Sequence, residues 1–310
     1  MSAMLSLLLV LPGRPADPVA ELRKLGAEFS FDAKAPDKPV VRVNLEGKPV
    51  TDADLVHLQA LPRLRDLDLS NTKVTDAGLV RLKDMKQLEY LALGALPGVT
   101  DAGLEQLQDL AGLRSLYLYG TAVTDKGLPR LKKLERLQTL SLATTKVTDA
   151  GLEHLTALPN LRSLFLAYND VGDAGLARLK AIKGIQRLDI FRTRVTDTGL
   201  AHLKELTALR RLNLGRTGVT DAGLKNLAAL TDLEELNLLD VPVSDAGLAS
   251  LKGLTKLERL GLGGTAVTDA GLEQLKGLTR LRSLNVVGTR VTEAGAAALR
   301  KALPECRINR

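Results

Sequence analysis

The chain is poor in the residues that usually carry chemistry. It has one cysteine, three histidines, no tryptophan and eight aromatics in 310 residues. One cysteine excludes an internal disulfide, and three scattered histidines are poor material for a metal centre. The apolar run Met4 to Leu11 is far too short to span a bilayer as a helix. No G-x-x-x-x-G-K-[ST] loop, strand-linked dinucleotide fingerprint or G-x-S-x-G elbow occurs. No acid, base and nucleophile converge, so neither catalysis nor a cofactor is expected.

What the chain has in abundance is one phrase. Val74-Thr75-Asp76-Ala77-Gly78-Leu79 recurs almost letter for letter at Val123, Val147, Val195, Val219 and Val267. A fixed period of this kind marks a repeat architecture. Units start at Val40, Leu64, Leu88, Leu113, Leu137, Leu161, Ile185, Leu209, Leu233, Leu257 and Leu281. Each has 24 residues except the unit from Leu88, which has 25.

Within the unit from Leu137, Leu140 and Leu142 alternate with period two, which suits a short strand. Leu152, Leu155 and Leu158 are spaced in threes and suit a helical stripe. Between them, Val147, Thr148 and Leu152 form the pattern of a hydrophobic staple around a capped helix start. Asp149 falls in the first turn, where the helix dipole favours negative charge. Gly151 is read as letting neighbouring units approach closely.

The repeat resembles the leucine-rich repeat, L-x-x-L-x-L-x-x-N/C-x-L, from Val40 to Ile308. One departure is the ninth position, mostly Thr here (Thr72, Thr121, Thr145, Thr193, Thr217, Thr265, Thr289), with Asn169 alone keeping the family's residue. The wording is similar to bacterial repeats of the GALA or ribonuclease-inhibitor-like kind, and to the repeat half of F-box proteins. The resemblance implies an α/β solenoid, a curved horseshoe with a parallel sheet on the concave face and helices outside. Strands stack about 4.8 Å apart whereas helices need about 8–10 Å, so such an array must bend toward its strands.

The repeats are expected to form one array over residues 40–304 rather than two domains. Residues 1–16 are expected to be a signal peptide or an unstructured N-terminus, which implies secretion or the cell envelope. Cytoplasmic residence is the alternative, because no Lys or Arg precedes the apolar run. Residues 17–39 read as a cap: a helix with Asp17 at its start, Pro18 next, a stripe of Val19, Leu22 and Leu25, and Gly26 at its end. Strands are expected at Glu28 to Phe31 and Val40 to Leu45, and a closing strand near Cys306 to Ile308 within residues 305–310. The extra residue around Leu96-Pro97-Gly98, and the altered Leu239-Asp240-Val241-Pro242, fall in loops leaving a strand.

His57, His154 and His202 share the eighteenth position of units that are never neighbours, and are expected to be exposed helix residues. The acidic column Asp76, Asp101, Asp125, Asp149, Asp173, Asp197, Asp221, Asp245, Asp269 invites calcium, which wants oxygens at about 2.3–2.6 Å. A helix-start role explains the column without an ion.

Positions 3, 5, 7 and 8 of each unit project onto the concave surface. Six of the eight aromatics occupy them: Tyr90, Tyr117, Tyr119, Phe165, Tyr168 and Phe191. Chance would place all six there roughly one time in 700, and interface cores enrich aromatic anchors. Aromatics also suit strands, but that does not account for their confinement to the units from Leu88 to Ile185. Arg187, Arg192, Arg211 and Arg216 follow, with Asp189 and Asn213 between them. Arginine beside aromatics suits a carboxylate-bearing partner.

The concave ladder balances five arginines (187, 192, 211, 216 and 259) against five acids (66, 68, 189, 235 and 240), so the chain's +7 lies elsewhere. A nucleic-acid groove would want basic residues tracking a strand. The expected function is therefore a non-catalytic scaffold binding a protein or peptide with acidic groups on the concave face. Substrate recognition in a ubiquitin-ligase-like assembly is an alternative implied only by the F-box resemblance. Binding of an anionic glycan or nucleic acid through the arginine cluster is another.

Overall fold

A computed structural model of the chain describes residues 17–310. The expected signal peptide at residues 1–16 lies outside the described residues. Among the described residues thirteen strands form one open sheet in sequence order. Only the cap strand Glu28–Phe31 runs antiparallel to its neighbour, Val40–Asn44. All later pairs are parallel, and the register never slips. Leu91 lies opposite Leu116 even though the unit between them is the long one. The extra residue is absorbed after the strand, where the sequence placed it.

Alternation explains the two faces of the sheet. The fourth residue of each unit, such as Leu140 or Leu188, points inward and is buried. The third and fifth residues point outward, so Arg187 faces Arg211 and Asp189 faces Asn213 on adjacent strands. The leucines of the helical half close the core from the other side, with Leu152 and Leu155 fully buried. Each fully buried leucine contributes roughly 1.5–3 kcal/mol, and their column runs through the whole array.

The outer elements correct the expectation of uniform helices. Asp101–Leu107, Asp173–Leu179 and Asp197–Leu203 are α-helical. Asp52–Ala60, Leu128–Lys133 and Ala150–Ala157 are 3₁₀ helices. Leucines spaced in threes match three residues per turn, so the tighter winding keeps all of them on one face.

Adjacent units are also bonded by a carboxylate ladder. Asp125 accepts the Thr148 N–H at 2.8 Å and the Thr148 hydroxyl at 2.6 Å. The same pair of bonds recurs from Asp76 to Thr100, from Asp197 to Thr220 and from Asp221 to Ser244. The Thr148 hydroxyl in turn accepts the Ala150 N–H at 3.3 Å, capping its own helix start. The acidic column thus does more than meet a helix dipole: each carboxylate grips the next unit. Gly151 is required because a Cβ there would fall on the Asp125 carboxylate.

The ninth-position threonines donate to a carbonyl three residues back, as Thr121 does to Leu118 at 2.7 Å. Asn169 reaches the preceding unit instead, donating to the Leu142 carbonyl at 2.6 Å and accepting the Thr145 N–H at 2.8 Å.

The ends are closed. In the helix Pro18–Lys24, the Asp17 carboxylate accepts the Val19 N–H at 3.0 Å, and Gly26 follows with left-handed backbone. At the other end Glu293–Ala302 buries Ala296 and Leu299, and the strand Arg307–Asn309 completes the sheet. That strand begins one residue later than the sequence implied. Cys306 packs into the core, and burial pushes its thiol pKa up.

Candidate functional site

The concave surface is a lattice with a spacing of about 4.8 Å between units and about 3.3 Å between residues along a strand. All six aromatics expected on it project there, half-buried or exposed. They form two clusters rather than one continuous patch. In the first, the Tyr90 and Tyr117 rings lie 5.3 Å apart. Tyr119 lies over Gly94, where an added Cβ would strike its ring. In the second, Tyr168 and Phe191 lie 5.4 Å apart. Phe191 leans over Gly215, whose missing Cβ leaves room for the ring. The unit from Leu137, with Thr139, Ser141, Ala143 and Thr144 at the surface positions, separates the clusters.

Phe165 lines a shallow depression of about 250 Å³ with Arg187, Asp189, Arg211, Asn213 and Glu235. Glu235, which enters the sequence reading only in the charge balance of the ladder, is therefore part of this site. Its carboxylate lies 3.0 Å from Arg259 and 3.7 Å from Arg211. Asp240 takes the Arg216 guanidinium at 2.9 Å. Among the described residues, Arg187 and Arg192 meet no carboxylate within 4.0 Å. The expected cluster of four arginines is thus two paired and two uncompensated charges.

The fifth-position polar residues have a structural task. Asp189 accepts the Phe191 N–H at 3.0 Å, and Asn213 accepts the Gly215 N–H at 3.2 Å, both closing the strand exit. Asn237 donates to Asn213 at 3.0 Å, extending a polar row across the sheet. Burial pushes the Asp189 pKa up, against the opposing pull of the Phe191 N–H and the Asn213 side chain. At the other cluster, burial followed by the Asp68 charge pushes the Tyr90 hydroxyl up to about 12. Asp66 is raised as well, mainly by burial.

Cations stack on the second cluster. The Arg192 guanidinium lies 5.4 Å from the centre of the Tyr168 ring, and that of Arg216 lies 5.7 Å from Phe191. Such contacts contribute roughly 0.5–1 kcal/mol at exposed sites and hold the guanidinium planes in place.

One backbone feature of this rim was missed. The eighth residue of every unit is left-handed. Glycine fills it at Gly47, Gly120, Gly264 and Gly288, but Asn71, Ala95 and then, consecutively, Thr144, Tyr168, Arg192, Arg216 and Asp240 fill it elsewhere, with φ between 52° and 60°. A side chain there costs roughly 1–2 kcal/mol relative to right-handed backbone. The glycines at the same position of other units were the available signal.

His57, His154 and His202 are separated as expected, but each is half-buried against its helix rather than exposed. Among the described residues no group of three His, Cys, Asp or Glu side chains could hold a metal ion. No described helix is long and apolar enough to cross a membrane.

Comparison with known proteins agrees with this architecture. Residues 61–83, 157–180 and 205–228 match the Leucine Rich repeat family. No curated protein sequence matches the chain. An internalin (inlF) from Listeria monocytogenes is 22% identical, with 95% of this chain and 94% of that protein covered, at a TM-score of 0.62. A Leptospira interrogans leucine-rich-repeat protein is also 22% identical at a TM-score of 0.59, covering 82% of this chain and 62% of the other. An internalin C2 from Listeria monocytogenes is 23% identical, with 72% of this chain and 92% of that protein covered, at a TM-score of 0.55. At such identities the likeness is one of fold. On its three matching segments, its register and its strand order, the chain carries leucine-rich repeats and folds as a single solenoid.

Proposed function

We propose that the chain is a non-catalytic scaffold that holds a protein or peptide partner on its concave face, across the units from Leu88 to Leu209. The observation that carries this reading is the second aromatic cluster. Tyr168 and Phe191 stay at the surface with Arg192 and Arg216 stacked on them, although a soluble solenoid needs no aromatic outside its leucine core. Aromatic and arginine side chains on a rigid surface are what interface hot spots use, because little conformational freedom is lost on binding.

Partner capture by the intact chain, compared with a variant carrying Tyr117→Ala, Phe165→Ala, Phe191→Ala and Arg192→Ala, tests the assignment. Capture should disappear while the melting temperature stays close to that of the wild type, since none of the four belongs to the core. A variant that still captures its partner removes the reading. Export to the cell envelope or beyond is proposed on the apolar run Met4 to Leu11. An intact mass of the protein from its native cells that includes residues 1–16 would oppose it.

A further inference from the structure

We propose that the strand-exit rim of the unit from Ile185 is the docking strip for an acidic polypeptide segment. Its carboxylates would meet Arg187 and Arg192, and its apolar atoms would lie on Tyr168 and Phe191. The inference rests on the concave-face reading and adds where the contact centres and what chemistry it takes.

Two independent observations converge on this unit. The first is charge. Arg211 and Arg259 share Glu235, and Arg216 has Asp240, so those cations are already compensated within the fold. Arg187 and Arg192 are exposed and have no carboxylate partner among the described residues. The acid between them, Asp189, spends an oxygen on the Phe191 N–H and is partly buried. A planar guanidinium with free donors matches a carboxylate through two parallel hydrogen bonds.

The second observation is backbone conformation. Tyr168 and Arg192 have left-handed backbone at the position where four units use glycine and where Asn71, Ala95 and Thr144 carry only small side chains. Strained backbone persists where the surrounding structure over-determines it, and it clusters at ligand clamps. For Arg216 and Asp240 the reward is internal, because they pair with each other. Tyr168 and Arg192 stack on each other and Tyr168 also lies against Phe191, yet Tyr168 remains 48% exposed. Their retention is accounted for if the side chains contact something outside the chain.

The position of the pair fits an extended segment. Arg187 leaves the strand at the third position of the unit and Arg192 leaves the exit loop at the eighth, on opposite sides of Phe191. A chain lying along this unit would place carboxylates at both ends and apolar atoms between them. A nucleic acid would instead want cations repeating along the array. Tyr168, Asp240 and Gly264 hold the matching rim position in other units, so the basic track stops after Arg216.

Fluorescently labelled poly-L-glutamate is the probe, titrated against the full chain beside a thymidine oligonucleotide and poly-L-lysine. The wild type should bind polyglutamate, with an affinity that falls as salt is added. A variant with Arg187→Gln and Arg192→Gly should bind at least about tenfold more weakly, since two charge-assisted contacts are lost. It should also melt no lower than the wild type, because glycine adopts the left-handed conformation freely. No binding of polyglutamate to the wild type, equal binding to the variant, or tighter binding of the oligonucleotide would each overturn the inference. In the capture experiment, loss with the four-site alanine variant but not with the Arg187→Gln, Arg192→Gly variant would remove the acidic segment alone. Retention with both would remove the concave-face reading as well.

Discussion

The Asp149 carboxylate accepts the Gly172 N–H at 2.7 Å and finds no hydroxyl there. Asp125 before it and Asp173 after it each also receive a threonine hydroxyl, at 2.6 Å. Gly172 has the same extended backbone as the threonine caps, with φ −130° against −121° at Thr196. An added Cβ would meet the Asp149 carboxylate at 3.6 Å and the Arg194 carbonyl at 3.8 Å, both ordinary contacts. Gly172→Thr should therefore complete the rung and cap the following helix, stabilising the chain by about 1 kcal/mol. Urea unfolding would measure the gain, and Gly172→Ala should gain clearly less.

The glycine inside each helix start is fixed by the same carboxylates. Gly151→Ala would press a methyl group onto the Asp125 carboxylate and within 2.9 Å of Leu128. It should cost about 1–3 kcal/mol, as overpacking does. Gly253, with nothing within 4 Å of its missing Cβ, is the control. Gly253→Ala should be neutral or stabilise by up to about 1 kcal/mol through the unfolded chain. Equal effects at the two sites in denaturant titrations would show that close approach is not the reason for Gly151.

Asn169 is buried and serves two backbone groups of the preceding unit. Asn169→Ala leaves the Thr145 N–H without its acceptor and should cost about 2 kcal/mol. Asn169→Thr should recover little of this. A ninth-position threonine hydroxyl donates to a carbonyl of its own unit, as Thr193 does to Ile190 at 2.8 Å, and supplies no acceptor for the Thr145 N–H. Urea midpoints of the two variants would separate these outcomes, and a full rescue by threonine would contradict the assigned reach.

Acid should release the last rung of the ladder. The Thr292 hydroxyl and then the Thr292 N–H hold the Asp269 carboxyl below the ordinary aspartate range. A lowered folded-state pKa means that the folded chain binds the proton less tightly than the unfolded chain. The stabilisation is complete above the ordinary aspartate pKa and is lost as pH falls through the folded value. Asp269→Asn should lower stability at neutral pH and flatten the acid limb of a stability-against-pH curve. An unchanged acid limb would argue that this rung bears no weight.

The architecture was legible because burial dictates it. Leucine must return to the interior once per unit, so Leu140, Leu164 and Leu188 announce the strand register by spacing alone. The role of Gly151 was readable for a related reason, since a glycine repeated inside a helix start needs a neighbour close by. The hydroxyl rungs were not readable. Asp125 and Thr148 come together only once the loops of two units are superposed, and a helix-dipole role already accounts for an aspartate at that position. The site was legible as a face and not as a geometry. Spacing placed Phe165 and Phe191 on one side, but the gap at the unit from Leu137 and the pairing of Arg216 with Asp240 depend on side-chain reach. That pairing was within reach of the period, because the two residues share the eighth position of adjacent units.

The hydroxyl rungs have a consequence for how such a chain can change over generations. Each unit presents an acceptor to its successor and a donor to its predecessor, so a segment of one whole period carries both halves of the join. Duplicating or deleting such a segment restores every junction without any compensating substitution. The length of the array is thus close to a free variable, while an insertion that the loop cannot absorb, as it absorbs the residue around Leu96-Pro97-Gly98, would leave a carboxylate facing the wrong residue. The cost of that freedom falls on the recognition surface, where losing one unit would bring Tyr117 and Phe165 into new company without disturbing the fold beneath them.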